Sequence, residues 1–181
     1  NSVTNQVDKI LVVPILRFAI LGNYSLALQV VMGLTIFPNV IFKFLLPEEA
    51  EQKSNKKLKF LAIFISACIS ICGVVLTPVI LPEIFPKYSD AVDAIRIMSL
   101  AVIPITLNLI FTSQLLGLEK SKFVLIGRLI ALFTTSVLTI TLGMSYGMIG
   151  LAIAFLITSI VQTSVSAYAN YHMKKDKESL P

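Results

Sequence analysis

Three ionisable residues lie in or beside an apolar run near the start of the chain, DKILVVPILRFAILG: Asp8, Lys9 and Arg17. A charge inside a membrane helix is costly and normally faces a bundle interior or water. On an ideal helix Lys9 and Arg17 point about 80° apart, whereas Asp8 and Arg17 point to opposite faces. We therefore expect Lys9 and Arg17, with Asp8 as a third candidate, to line a substrate cavity. There Arg17 would give forked bonds to a phosphate. Alternatively, Arg17 is about 7 Å from Gly22 along a helix and could reach the outer membrane interface.

Amide side chains occur on two further polar stripes at helical spacing. The stripes are Pro104, Asn108 and Thr112, and Gly150, Ala154, Thr158, Gln162 and Ser166. Small residues at spacing four permit close helix packing, and Thr and Gln can bond across the contact. Asn108 and Gln162 are therefore predicted either to face a wet cavity or to hold neighbouring helices together.

The thiols and the imidazole of the chain suggest no catalytic set. Cys68 and Cys72 share a helix face without a nearby histidine, which is weak as a metal site, and we expect them to be buried in a bundle. His172, the only histidine, is expected at the membrane interface. The sequence therefore predicts no enzyme, no metal, no cofactor and no nucleic-acid partner.

Composition indicates the class of protein that must position these residues. Hydrophobic residues make up 56% of the chain and charged residues 14%, with a mean hydropathy of +0.86, whereas a soluble domain is about a quarter charged. In lipid each spanning segment must satisfy its own backbone groups, so the segments are predicted to be helices. Six segments approach the roughly 20 apolar residues that a span needs: residues 2–21, 24–46, 60–81, 97–118, 123–142 and 147–169, followed by a tail at 170–181. The prediction is a single all-α integral membrane bundle over residues 1–181.

Four prolines fall inside these segments: Pro14, Pro38, Pro78 and Pro104. Each removes a backbone hydrogen bond and is predicted to bend its helix. Such bends suit a transporter whose helices flex, although proline is also more frequent in membrane helices generally.

Lysine and arginine are distributed unevenly between the two sides of the predicted bundle. Eleven fall on one side: Lys43, Lys53, Lys56, Lys57, Lys59, Lys120, Lys122, Arg128, Lys174, Lys175 and Lys177. The other side receives only Lys87 and Arg96. The positive-inside rule then predicts that this side, with the C-terminal tail, is cytoplasmic. The N-terminus would be cytoplasmic too if the first segment crosses the cytoplasmic membrane and is not an interfacial helix. The external turns would lie at residues 22–24, 82–96 and 143–146.

The chain starts at Asn1 and shows no signal-peptide pattern. We expect it to be a fragment, or a chain from which an earlier part is absent.

Four stretches, in this order, resemble the second half of polysaccharide flippases. They are DKILVVPILRFAILGNYSLALQVV, LPEIFPKYSDAVDAIRIMSLAVIP, LLGLEKSKF and SYGMIGLAIAFLIT. The first contains a Gly-x-Tyr-x-x-Ala turn at Gly22, Tyr24 and Ala27, and the last a Tyr-Gly-x-x-Gly-x-Ala-x-Ala helix entry. The resemblance covers residues 5–172, and the order of the motifs is more specific than any one of them. One departure is that the family's external Phe-Gly-x-x-Tyr reads Phe85-Pro86-Lys87-Tyr88 here.

The family is the oligosaccharidyl-lipid/polysaccharide branch of the multidrug and oligosaccharide flippase superfamily. The resemblance implies two six-helix bundles related by pseudo-symmetry around a central cavity, this chain being the C-terminal bundle and an N-terminal half its partner. It also implies movement of polyprenyl-linked sugars across the lipid membrane by alternating access.

Two other interpretations stay open on the residues alone. A drug or metabolite antiporter of the same superfamily needs an ion-coupling carboxylate deep in a bundle, and only Asp8 is available for that role. A non-transport membrane scaffold would tolerate charges at helix ends but would not need polar cavity residues.

Overall fold

The computed structural model describes residues 18–51, 55–84 and 86–178, and within these ranges the chain is all-helical. The helices are α1 (Phe18–Leu34), α2 (Ile36–Ala50), α3 (Lys56–Ile84), a 3-10 turn (Pro86–Ala91), α4 (Val92–Ser99), α5 (Val102–Gly117) and α6 (Ser121–Glu178). The predicted cavity residues Asp8, Lys9 and Arg17 and the predicted kink at Pro14 lie outside the described residues.

Three helical stretches are long and apolar enough to cross a membrane: Lys56–Ile84, Val92–Gly117 and Ser121–His172. The segments Gly22–Leu34 and Ile36–Ala50 pass the same test together, as one bent pair. The prediction of an all-α fold with long apolar helices is therefore confirmed for this part of the chain. The predicted first span, residues 2–21, lies almost wholly outside the described residues, and a bundle of six crossings stays a prediction.

The longest helix, α6, folds back on itself at Gly147. This residue has φ +58° and ψ −130°, a combination that side-chain-bearing residues rarely adopt. A Cβ placed on Gly150 would lie 2.0 Å from the carbonyl oxygen of Leu142, so the chain passes very close to itself here. Residues 143–146, predicted as a turn, are helical, and the reversal comes at the next residue.

The reversal divides α6 into a first arm, residues 121–146, and a second arm, residues 148–178. Further from the turn, the Thr135 hydroxyl donates to the Thr158 hydroxyl oxygen at 3.2 Å. Contacts between residues at matching distances from Gly147 show that the two arms are antiparallel.

Two of the predicted proline bends coincide with interruptions of the helices. The ring of a proline crowds the carbonyl four residues earlier and leaves it without a donor. For Pro38 that carbonyl belongs to Leu34, and α1 and α2 meet at Thr35 with a bend of 44°. For Pro104 it belongs to Leu100, where a short turn separates α4 from α5.

Pro78 does not interrupt its helix, and the bend predicted there stays a prediction, whereas the turn predicted at residues 22–24 does not occur. Pro78 lies inside α3, which continues to Ile84, and the hydroxyl of neighbouring Thr77 donates to the carbonyl oxygen of Gly73. The turn predicted at residues 22–24 is part of α1. Gly22 does not have a positive φ, so the backbone there has no reason to leave the helix.

The predicted external turn at residues 82–96 is also mostly helical, comprising the end of α3, the 3-10 turn and most of α4. The short helix α4 is amphipathic and buries Ala94, Ile95 and Met98. They belong to an apolar cluster with Tyr24 and Leu151, and burial of these side chains holds the segment against the bundle. This end is named the Tyr24 end.

The opposite end, named the Glu49 end, is where α2 and α5 finish and α3 begins. Lys59 Nζ lies 2.5 Å from Glu49 Oε1, and both side chains are largely buried. A Cβ placed on Gly117 would lie 2.7 Å from the backbone carbon of Glu49. The glycine therefore lets the ends of α2 and α5 touch backbone to backbone.

Small and polar residues face inward on α3, and large apolar residues face outward. Its buried residues are Ala62, Ser66, Ser70, Gly73, Thr77 and Leu81. Ser66 accepts a hydrogen bond of 2.8 Å from Thr106, and Ser70 donates one of 2.9 Å to the carbonyl of Ser99. The prediction that Cys68 and Cys72 are buried is wrong, since both are exposed. They lie off the small-residue stripe, on the side where Phe60 is 73% exposed.

Candidate functional site: a polar cavity within the bundle

A cavity of about 230 Å³ lies between α2, α5 and both arms of α6. Its lining consists of Asn39, Phe42, Asn108, Leu109, Thr112, Val124, Arg128, Gln162 and Ser166. The lining contains three amides, two hydroxyls and a guanidinium, an unusual concentration of polar groups in a bundle whose exterior is largely apolar.

The spacing of the lining residues follows from helix geometry. Asn108 and Thr112 are one turn apart on α5, and Gln162 and Ser166 are one turn apart on the second arm, so each pair shares a face. α5 and the second arm run parallel, because the residue numbers of the paired side chains increase together along the two helices. Thr163 donates to the carbonyl of Pro104 at 2.7 Å near one end of this contact. The two polar stripes are thereby brought to the same level.

A hydrogen bond within the lining fixes the orientation of Asn108. The Ser166 hydroxyl donates to Asn108 Oδ1 at 2.7 Å. This bond occupies the amide oxygen and leaves the amide N–H groups of Asn108 as donors. On the opposite wall, Asn39 Nδ2 donates to the carbonyl oxygen of Thr35 at 2.7 Å, so the break between α1 and α2 is tied to a cavity residue.

Contacts on the Glu49 side of the cavity close it toward that end. Leu115, Val124 and Ala169 form an apolar cluster there, and Val124 also lines the cavity. Asn170 donates from Nδ2 to Gln114 Oε1 beside them. The polar space is thus bounded by a packed apolar layer and one amide pair.

The charge of the lining comes from Arg128. It is the one charged residue among the nine that line the cavity. Its side chain is exposed, and it has no ion-pair partner within the described part of the chain. On an ideal helix it lies about 10 Å from Ser121, at the start of the first arm. The cavity therefore carries a net positive charge close to the Glu49 end.

Of the five residues predicted from the sequence to line a substrate cavity, Asn108 and Gln162 are brought together by the structure. Asp8, Lys9 and Arg17 fall outside the described ranges. Sequence reasoning did not single out Arg128 or Asn39 as cavity residues. The available signal for Arg128 was its position inside an apolar segment, FVLIGRLIALF, where a charge needs an explanation.

The prolines lie near the cavity but do not line it. Pro38 is fully buried and directly precedes Asn39, and Pro104 is one turn before Asn108. Pro78 lies on α3, which contributes no lining residue. Among the described residues, no group of three or more His, Cys, Asp and Glu side chains could hold a metal ion.

Comparison with known proteins gives no relative from which a function could be transferred. No family model, no curated protein and no solved structure matches the chain.

Proposed function

We propose that this chain is the C-terminal bundle of a membrane flippase that moves lipid-linked oligosaccharide or polysaccharide precursors across the cytoplasmic membrane by alternating access. The observation that carries the proposal is the polar cavity between apolar helices, two of which are interrupted beside a proline. Interrupted membrane helices are characteristic of transporters, where they occur around substrate and ion sites.

The exterior of the bundle supports its placement in a membrane. Large apolar side chains lie exposed on the outward faces of α3 and α6, among them Phe60, Phe64, Ile71, Val79, Leu125 and Phe133. In water a continuous surface of this kind would favour aggregation, whereas in lipid it carries no such cost. Buried hydroxyls and amides instead bond between helices, as at Thr106 and Ser66.

The distribution of basic residues supports an orientation for the bundle. Lys59, Lys120 and Lys122 lie at the Glu49 end, and Lys87 and Arg96 lie near the Tyr24 end. The positive-inside rule then puts the Glu49 end, with the cavity nearer to it, on the cytoplasmic side.

The residues of the cavity also favour a flippase over a cation antiporter. An antiporter of this class needs a carboxylate that can take up a cation or proton within the bundle. None of the nine lining residues is acidic. Substrate recognition would combine Asn108 and Gln162 with the cations Lys9 and Arg17 of the opening segment and with the N-terminal half of the transporter.

The test measures flipping of a fluorescent lipid-linked oligosaccharide in proteoliposomes. The reconstituted protein is expressed from this sequence together with the coding sequence that flanks it in the genome. Arg17→Ala should lower the rate at least about tenfold, since it removes charge-assisted bonds to the pyrophosphate. Arg17→Lys keeps the charge without the planar fork and should retain part of the activity. Lys9→Ala should have a smaller effect.

Lys87→Ala is the matched control, because it removes an exposed cation at the Tyr24 end. It should flip at the wild-type rate. Membrane abundance of each variant is measured by immunoblot alongside flipping. Wild-type flipping by Arg17→Ala at normal abundance would eliminate the cavity role of Arg17. Absence of flipping by the wild type with its flanking sequence would refute the proposed function itself.

A further inference from the structure

The lining of the cavity within the bundle defines the chemistry of a ligand. We propose that this cavity binds a phosphate-type oxyanion, either orthophosphate or the phosphate of a lipid head group, with the guanidinium of Arg128 as its counterion. This deepens the proposed function, and it rests on that function only for the placement of the bundle in a membrane.

The sign of the charge is the first argument. Arg128 contributes one positive charge, none of the nine lining residues carries a carboxylate, and no acidic partner of Arg128 is found among the described residues. A cavity of one sign with low-dielectric walls concentrates ions of the opposite sign.

The second argument is the supply of hydrogen-bond donors. A guanidinium presents a planar fork that matches two oxygens of a phosphate. Asn108 has its amide oxygen occupied by Ser166, which leaves N–H groups as donors. Gln162 lies on the same wall as Ser166 and adds an amide of its own. Asn108 and Gln162 come from α5 and from the second arm of α6, which the bond from Ser166 to Asn108 holds together.

The third argument is size. A space of about 230 Å³ has room for a tetrahedral oxyanion and several waters that bridge it to the amides. It is too small for a whole lipid-linked oligosaccharide, so it admits a small anion or the phosphate of one lipid head group. Phe42 and Leu109 complete the apolar part of the lining.

The experiment measures anion binding by the purified 181-residue chain. Equilibrium dialysis with radiolabelled orthophosphate in an uncharged detergent gives the dissociation constant without lipid. Native mass spectrometry after release from vesicles of phosphatidylcholine, with or without phosphatidylglycerol, counts retained anionic lipid. Phosphate binding in detergent identifies a free oxyanion, whereas retention of phosphatidylglycerol alone identifies a head group.

Arg128→Gln should weaken binding of phosphate or of phosphatidylglycerol, whichever the wild type binds, by at least about tenfold, because charge-assisted hydrogen bonds are lost. Arg128→Lys should weaken it less. Lys122→Gln is the matched control: it removes a cation of the same arm that does not line the cavity, and it should bind within about twofold of wild type because no direct contact with the ligand is lost.

Gln162→Glu provides a second variant in case Arg128→Gln does not fold, as judged by circular dichroism. It leaves Arg128 in place, cancels the net charge of the lining and should also weaken binding. Equal binding of phosphate and of phosphatidylglycerol by wild type and by the folded variants would overturn the proposal. Because no flipping is measured, failure here is distinguishable from failure of the transport function.

Discussion

Asn108 and Gln162 show what residue spacing can predict. Each lies on a stripe of polar or small residues spaced by four, and such a stripe marks the inward face of an apolar helix. Arg128 and Asn39 were harder to assign, because a single polar residue carries no periodicity. Whether it faces a cavity depends on which other helices approach it, and α2 and the second arm approach from distant parts of the chain. The interpretation of Arg128 as one more cytoplasmic charge left its place in the lining unnoticed.

The bond between Ser166 and Asn108 should contribute measurably to stability. Ser166→Ala removes the donor and is expected to destabilise the folded bundle by about 0.6 kcal/mol, up to about 1.7 kcal/mol, the range seen for hydrogen bonds between membrane helices. The unfolding free energy in bicelles or mixed micelles measures the effect.

The neighbouring Ser164 provides the control for this change. It is exposed, and its hydroxyl donates only to the carbonyl of Ile160 on its own helix. Ser164→Ala should therefore leave the unfolding free energy nearly unchanged. Equal effects of the two substitutions would show that the bond between the helices contributes nothing.

At the scale of elements, the sequence predicted helices far better than their interruptions. Apolar runs of spanning length predicted α3 and the two arms of α6 because no other secondary structure satisfies the backbone in lipid. The prolines were less informative: the helix stops near Pro38 and Pro104 but continues through Pro78. α3 buries one whole face against the bundle, and this packing supports the helix across Pro78. Such compensation is tertiary and cannot be read from the proline itself.

The reversal at Gly147 should depend on the absence of a side chain. Gly147→Ala keeps the polarity but puts a Cβ on a residue with φ +58°, which is expected to cost about 1–3 kcal/mol of unfolding free energy. Gly33→Ala is the matched control, because Gly33 is helical and has open space around it. It should be neutral or stabilising by up to about 1 kcal/mol. Thermal unfolding in detergent compares the two, and a Gly147→Ala variant as stable as Gly33→Ala would contradict this account of the turn.

At the scale of the whole molecule, the main feature is that the Glu49 end carries more lysine and arginine than the Tyr24 end. The sequence predicted this polarity because lysine and arginine cluster in the segments between apolar runs. It did not predict that residues 82–96 are mostly helical. α4 is too short for periodicity to stand out, and its three buried apolar residues meet partners from α1 and α6.

The orientation can be tested by labelling with a membrane-impermeant maleimide. The exposed Cys68 and Cys72 are first replaced by alanine, so that single cysteines can be read without background. Cysteines at Ser54 and Ser121 should then react only from the cytoplasmic side of oriented vesicles, and one at Ser89 only from outside. Labelling of positions 54 and 89 from the same side would refute the orientation.

The reversal of α6 takes place at a single residue, Gly147. This restricts where the protein can gain or lose residues during evolution. One residue inserted between Gly147 and Gln162 would rotate the rest of the second arm by about 100° and advance it by about 1.5 Å. Gln162 and Ser166 would then leave the cavity together, and the bond to Asn108 would be lost. Residues gained or lost between α2 and α3 leave the register within every helix untouched. Among evolutionarily related sequences, insertions and deletions should therefore accumulate between α2 and α3. The number of residues from Gly147 to Ser166 should stay fixed.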